Sequence, residues 1–189
     1  VKRMLAYSSI AHAGFILLGV QAASERGTAA VYVYLFVYTL LATGSFAVIT
    51  TVAGRGDAAH GLDAYRGLAR RQPVLAGAFT VLLLGQAGVP FTGGFVAKLG
   101  VLVAAVEGRT YWVAMVAMAA AAVAAFVYLR ILVAMYLEDP EPGTDDRSEV
   151  PTGTRLVIGA ACAGVLLIGL VPGFLLDIAS DAVPVLVGG

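Results

Sequence analysis

A chain of 189 residues that is 60% hydrophobic and 13% charged departs from the soluble norm of about 45–50% apolar and about 25% charged residues. Its mean hydropathy of +0.90 means that lipid solvates much of it. Zero net charge gives no basis for a nucleic-acid partner, and a single cysteine, Cys162, excludes an internal disulfide and a cysteine metal cluster.

Taken in chain order, the sequence predicts an all-α, polytopic transmembrane bundle in one membrane domain. After Lys2 and Arg3, Met4–Ala23 carries no charge but includes Ser8, Ser9 and His12. The chain starts at Val1 and leads from one apolar stretch into the next, so it reads as the continuation of a larger membrane protein rather than as a signal peptide. Ala29–Ala53 is uncharged. Its VYVYLFVY (31–38) alternates like a strand, but the apolar run is too long for one, and an open strand in lipid leaves its backbone unpaired. It is therefore expected to be a helix. Tyr111–Leu137 carries only Arg130, and 156–176 carries no charge. Each of these is close to the roughly 20 residues that a spanning helix needs. The alanine-rich run 119–125 suits close helix packing.

Residues 73–106 are different. As one straight helix they would extend about 51 Å, against a hydrocarbon core of about 30 Å. They contain GQAGVPFTGG (85–94), whose Gly88, Pro90, Gly93 and Gly94 interrupt a helix, followed by Lys98. The segment is either two short spans or one span broken near 88–94. Loop charge favours the second, because Lys and Arg collect on the cytoplasmic side. With the N-terminus inside and one broken span, Lys2, Arg3, Arg55, Arg66, Arg70, Arg71, Arg147 and Arg155 face inward, and only Arg26 and Arg109 face outward. Two separate spans weaken that bias. The expectation is five crossings, with loops 54–72 and 138–155 cytoplasmic.

Two intramembrane side chains stand out as proton carriers. A helix broken at membrane depth needs protein or a water-filled cavity around its free backbone groups, and such breaks form ion sites in transporters. Lys98 lies one turn beyond Gly94, where it can load and release a proton as its surroundings change. The alternative is a turn with Lys98 snorkelling to an interface. His12 suits a proton shuttle, or else is a structural histidine satisfied by Ser8, Ser9 or a neighbouring helix. Tyr34 and Tyr38, four apart on one helix face, and Thr92 extend a polar axis between the two. So do Thr39, Thr43, Ser45, Gln86 and Tyr128, unless all of these residues, the two tyrosines and Thr92 included, make ordinary interhelical hydrogen bonds. His60 lies in the charged loop and reads as solvated.

KRMLAYSSIAHAGF (2–15), DAYRGLARRQPVLAGAFTVLLLGQAGVPFTGGFVAK (63–98) and YLRILVAMYLEDP (128–140) resemble the C-terminal part of the N subunit of proton-pumping NADH:quinone oxidoreductase, respiratory complex I. This is one of that complex's antiporter-like membrane subunits. The tyrosine-rich 32–48 and the YRGLARR segment resemble the N subunit rather than its sisters, which carry a His/Lys-bearing helix there. The resemblance implies an antiporter-like half-channel in a bacterial plasma membrane. Lys98 would be the lysine of its broken helix and His12 a histidine of its central polar axis. NADH, FMN, iron–sulfur clusters and quinone would be held by other subunits, with no redox site or metal in this chain, and the partners would be the remaining membrane-arm subunits and the bilayer. The glutamate and two lysines of the family's first repeat have no counterpart here, so the chain is expected to be the C-terminal portion, beginning near the tenth helix. A subunit of a multisubunit cation/proton antiporter is the rival reading.

Overall fold

The computed structural model describes residues 1–54, 61–140 and 150–187; His60 and the acidic stretch 141–149 lie outside them. Every regular element described is helical. They are α1 (Lys2–Gln21), α2 (Glu25–Ala53), α3 (Leu68–Arg71), α4 (Pro73–Ala87), α5 (Gly93–Glu107), α6 (Tyr111–Leu137), α7 (Thr152–Leu170) and α8 (Gly173–Val187), with a 3-10 turn at Asp63–Tyr65. By length and apolarity, α1, α2, α6 and α7 are each sufficient to cross a membrane.

Helix ends follow local chemistry that hydropathy does not register. Apolarity suggested that the second helix begins at Ala29. It begins at Glu25, because the Ser24 hydroxyl accepts the Gly27 N–H at 3.1 Å and Glu25 sits favourably in the first turn. Thr152–Arg155, read from sequence as loop, form the first turn of α7. The expected last helix, 156–176, is interrupted: α7 stops at Leu170 and α8 starts at Gly173. Pro172 lacks the N–H that would continue the ladder. The 54–72 connection also holds more order than its composition suggested, in the 3-10 turn and α3.

The 29-residue α2 is the strut of the bundle, packing against α1, α4, α5, α7 and α8. Its buried stripe of Ala30, Val33, Tyr34, Val37, Leu41, Gly44, Ser45 and Val48 repeats at helical spacing. Packing distances fix the register of its neighbours. A Cβ on Gly44 would lie 3.0 Å from Leu82 of α4 and 2.8 Å from Ala161 of α7, while one on Gly100 of α5 would lie 3.4 Å from Ala30. At the far end Arg26 meets Glu107. So α4 followed by α5 runs the length of α2 in the opposite direction, as one discontinuous helix.

The interruption covers 88–92. Gly88 (φ 85°) closes α4 in the left-handed region, and Phe91 (φ 68°) adopts it too, at a cost for a bulky residue of about 1–3 kcal/mol. Thr92 then caps α5, its hydroxyl accepting the Phe95 N–H at 3.4 Å. Gly93 and Gly94, expected within the break, instead open α5. They are small because the helices cross there. A Cβ on Gly94 would overlap the Gly85 carbonyl, and one on Gly93 would lie 3.2 Å from the Val165 carbonyl. A Cβ on Gly169 of α7 would overlap the Phe91 carbonyl. The α7–α8 interruption therefore abuts the α4–α5 interruption.

The alanine-rich stretch of α6 is used differently from expectation. Ala117, Ala121 and Ala124 pack on the core at helical spacing, whereas Ala119, Ala120 and Ala122 are exposed.

Candidate functional site

The buried stripe of α1 is Leu5, Ser8, His12, Phe15, Leu18 and Gly19. The three-to-four spacing that buries Leu5 and Phe15 also carries Ser8 and His12 inward. His12 is 4% exposed and Ser8 9%, so each needs partners in the interior.

Tyrosines from two other helices supply them. The Nδ1 of His12 shares a hydrogen bond with the Tyr34 hydroxyl of α2 at 2.8 Å, and its Nε2 faces the Tyr128 hydroxyl of α6 at 3.3 Å. Tyr128 also bonds the Ser8 hydroxyl. A neutral imidazole has one donor and one acceptor nitrogen, so both are used. The result is a chain of hydrogen bonds running Ser8, Tyr128, His12, Tyr34 across three helices. Tyr38, one turn along α2, stacks its ring on His12 (centroids 4.6 Å apart, planes at 27°) and donates to the Ser9 hydroxyl at 2.7 Å. Neither serine bonds His12 directly; each reaches it through a tyrosine.

Lys98 is on the buried stripe of α5 with Ala97 and Val101, and is 8% exposed. Its ammonium turns back across the break and donates to the Gln86 carbonyl at 2.8 Å and the Ala87 carbonyl at 2.9 Å. These are carbonyls at the C-terminus of α4, which an intact helix would have used internally. That end carries partial negative charge, where a cation is favoured. The Lys98 ammonium also lies 5.3 Å from the centre of the Phe15 ring, within cation–π range. The break thus creates the acceptors that hold the lysine. Gly88 is needed beside them, since a Cβ there would lie 2.9 Å from Lys98 Cδ.

Two spaces flank these groups. A gap of about 10 Å³ is lined by His12, Tyr34, Val37, Tyr38, Gly94 and Ala97, about the room that one water needs. It lies between the imidazole and the helix that carries Lys98. A cavity of about 610 Å³ on the other side is lined by Lys98, Phe15, Gly88, Leu102, Met118 and Glu107, among others. It runs along α5 from Lys98 to Glu107, which pairs with Arg26 at 2.5 Å where α2 begins.

Not every sequence candidate joins this site. Thr92 and Pro90 belong to the break: Thr92 caps α5 and donates to the Val89 carbonyl at 2.6 Å. Gln86 and Ser45 bond each other at 2.7 Å, fixing α4 on α2. Thr39 donates to its own helix. Two contributors were less legible. Tyr128 was one polar residue among several on long helices, and its role depends on how α6 packs against α1. Phe15 carried no polar signal. Among the described residues no group of His, Cys, Asp and Glu could hold a metal ion.

The chain as a whole is similar to known membrane proteins. A family model described as NADH:quinone oxidoreductase/Mrp antiporter, TM, matches residues 1–124. NADH-quinone oxidoreductase subunit N 3 of Streptomyces griseus is 43% identical over 182 residues, which is 96% of this chain and 33% of that protein. The chain spans about a third of the length of the curated relatives it matches. Among solved structures, respiratory complex I from Thermus thermophilus contains a chain of similar fold (TM-score 0.76, 33% identity), matched over 94% of this chain and 39% of that one. A chain of the Mrp complex from Dietzia shares the fold (TM-score 0.79, 21% identity, 95% of this chain and 41% of that one). This multi-pass bacterial membrane chain belongs to the transmembrane family shared by NADH:quinone oxidoreductases and Mrp antiporters.

Proposed function

We propose that this chain forms a proton half-channel of the N subunit of an NADH:quinone oxidoreductase. The observation that carries the proposal is the Lys98 ammonium seated on two carbonyls freed by a helix break, on a helix whose Gly94 and Ala97 share a small gap with a histidine–tyrosine hydrogen-bond chain. Intramembrane cations are costly and are retained for function. The identity to subunit N relatives, and the 33% identity to the complex I chain against 21% to the Mrp chain, support the redox-linked reading over the antiporter one. NADH oxidation and quinone reduction take place in other subunits, which are this chain's partners.

The proton path has three stages. Ser8, Tyr128, His12 and Tyr34 pass protons along their hydrogen bonds, each hydroxyl releasing one proton as it accepts another. His12 hands a proton toward neutral Lys98 past Gly94 and Ala97, where the gap beside the imidazole has room for a water. Lys98 ammonium then releases it into the cavity that leads to Glu107. Carbonyl acceptors favour the ammonium, so a change in hydration or in the position of α4's end alters how readily it lets go. Five crossings follow, with α4–α5 counted as one and α7–α8 as one.

Replacing Lys98 by alanine in the complete complex is expected to abolish proton translocation through this subunit while quinone is still reduced. Lys98→Arg, which keeps charge but does not give up its proton, is expected to fail too. A Lys98→Ala complex that moves the normal number of protons per quinone reduced would overturn the proposal.

A further inference from the structure

We propose that the groove between α4 and α7, at the end where both helices begin, holds one acyl tail of an anionic phospholipid with its phosphate against Arg155. The groove has a volume of about 560 Å³ and a lining almost entirely apolar, including Val74, Ala78, Val81 and Ile158. Two of its wall positions are glycines, Gly77 and Gly159, and a Cβ on either would meet nothing within 4 Å. The helices do not need these glycines in order to approach each other. Their effect is to leave a channel open.

The groove has a head and a tail. Among the described residues its one charged lining residue is Arg155, in the first turn of α7. Arg155 is exposed and has no carboxylate partner among the described residues. Around it, α4 and α7 both begin without a side-chain cap and without an acidic residue in the first turn. Two positive helix ends and a guanidinium thus point an anion to the same place. From Pro73 to Val81 the groove runs about 12 Å along α4. One leaflet of the hydrocarbon core is about 15 Å deep. A tail seated there reaches Cys162, which lines the far part of the groove and whose thiol donates to the Ala78 carbonyl at 3.5 Å. Cation at one end and leaflet-deep apolar walls below match a phospholipid better than a packed helix, which needs no cation. Basic pockets between membrane helices are known to select anionic lipids.

The complete complex, reconstituted in phosphatidylcholine vesicles, would be exposed to phosphatidylglycerol or to phosphatidylcholine carrying a photoactivatable acyl chain. Cross-links are then mapped to peptides. Phosphatidylglycerol should label 73–81 and 155–162 in preference to phosphatidylcholine. Arg155→Gln should cut that preference about fivefold, Arg155→Lys should keep it, and Gly159→Leu should remove labelling by both lipids. Equal labelling by the two lipids in the unmodified protein, indifference to Gly159→Leu, or no labelling because a neighbouring subunit covers the groove would each overturn the proposal. None of these readouts depends on proton transfer, so the lipid site stands or falls apart from the half-channel.

Discussion

His12 is held by two tyrosine hydroxyls and a stacked third ring, which makes these hydroxyls unequal. Tyr128→Phe strands both the Ser8 hydroxyl and one histidine nitrogen, whereas Tyr38→Phe strands only Ser9, which still donates to the Leu5 carbonyl. A buried polar group left unpaired costs about 1–3 kcal/mol. Tyr128→Phe is therefore expected to lower the complex's thermal stability and its proton-translocation rate more than Tyr38→Phe does. The reverse order in paired measurements would show that the histidine is held elsewhere. Gly88→Ala tests the lysine's seat. A methyl group must enter the left-handed region, at about 1–2 kcal/mol, and displace Lys98 Cδ. Proton translocation should fall together with stability. At this scale the sequence was informative about type. A lysine and a histidine in hydrocarbon stood out through their cost. Their partners did not, because backbone carbonyls are present at every residue and only the break frees two of them.

The discontinuous helices make the element scale testable through their glycines. Gly94 and Gly169 each lie so close to a carbonyl of another segment that a methyl group cannot be accommodated without moving backbone. Gly77 faces open space. Gly94→Ala and Gly169→Ala should separate α5 from α4 and α7 from the break, with loss of the assembled subunit from the membrane. Gly77→Ala should be neutral or stabilising by up to about 1 kcal/mol, the helix-propensity gain. Immunoblotting of assembled complex for the three variants checks the contrast. Three glycines and a proline made the first interruption visible in the sequence, although two of those glycines, Gly93 and Gly94, serve the crossing rather than the gap. The second interruption was hidden, since Pro172 follows an apolar run that had already reached spanning length.

At the scale of the whole molecule, the end of the bundle beyond Ala53 is closed by a latch. Arg66 pairs with Asp63 and Glu138, both at 2.8 Å, and Arg70 with Asp139 at 2.6 Å, joining the α2–α4 connection to the end of α6. Gly67 (φ 62°) donates its N–H to the Ala134 carbonyl at 3.1 Å, and a Cβ there would lie 2.7 Å from Pro140. Exposed ion pairs contribute about 0–1 kcal/mol, so the latch depends on the backbone fit. Arg70→Ala should change the thermal midpoint of the purified complex little. Gly67→Val, a branched residue forced to positive φ against a proline, should lower it clearly. Equal effects would mean that the charges, not the close approach, hold the connection.

Sequence by itself determined the solvent of this protein, its helical class, the existence of a broken helix and the two residues worth suspecting, because hydropathy, spacing and the energetic cost of buried charge are properties of the chain. Only the tertiary structure decided that Lys98 rests on the freed carbonyls of α4, that Tyr34 of α2 and Tyr128 of α6 join at His12, and that α7 breaks against the same level. Those contacts join residues up to 120 positions apart. They arise from how helices cross, and crossing geometry depends on the shapes of all the packed surfaces together rather than on any local pattern.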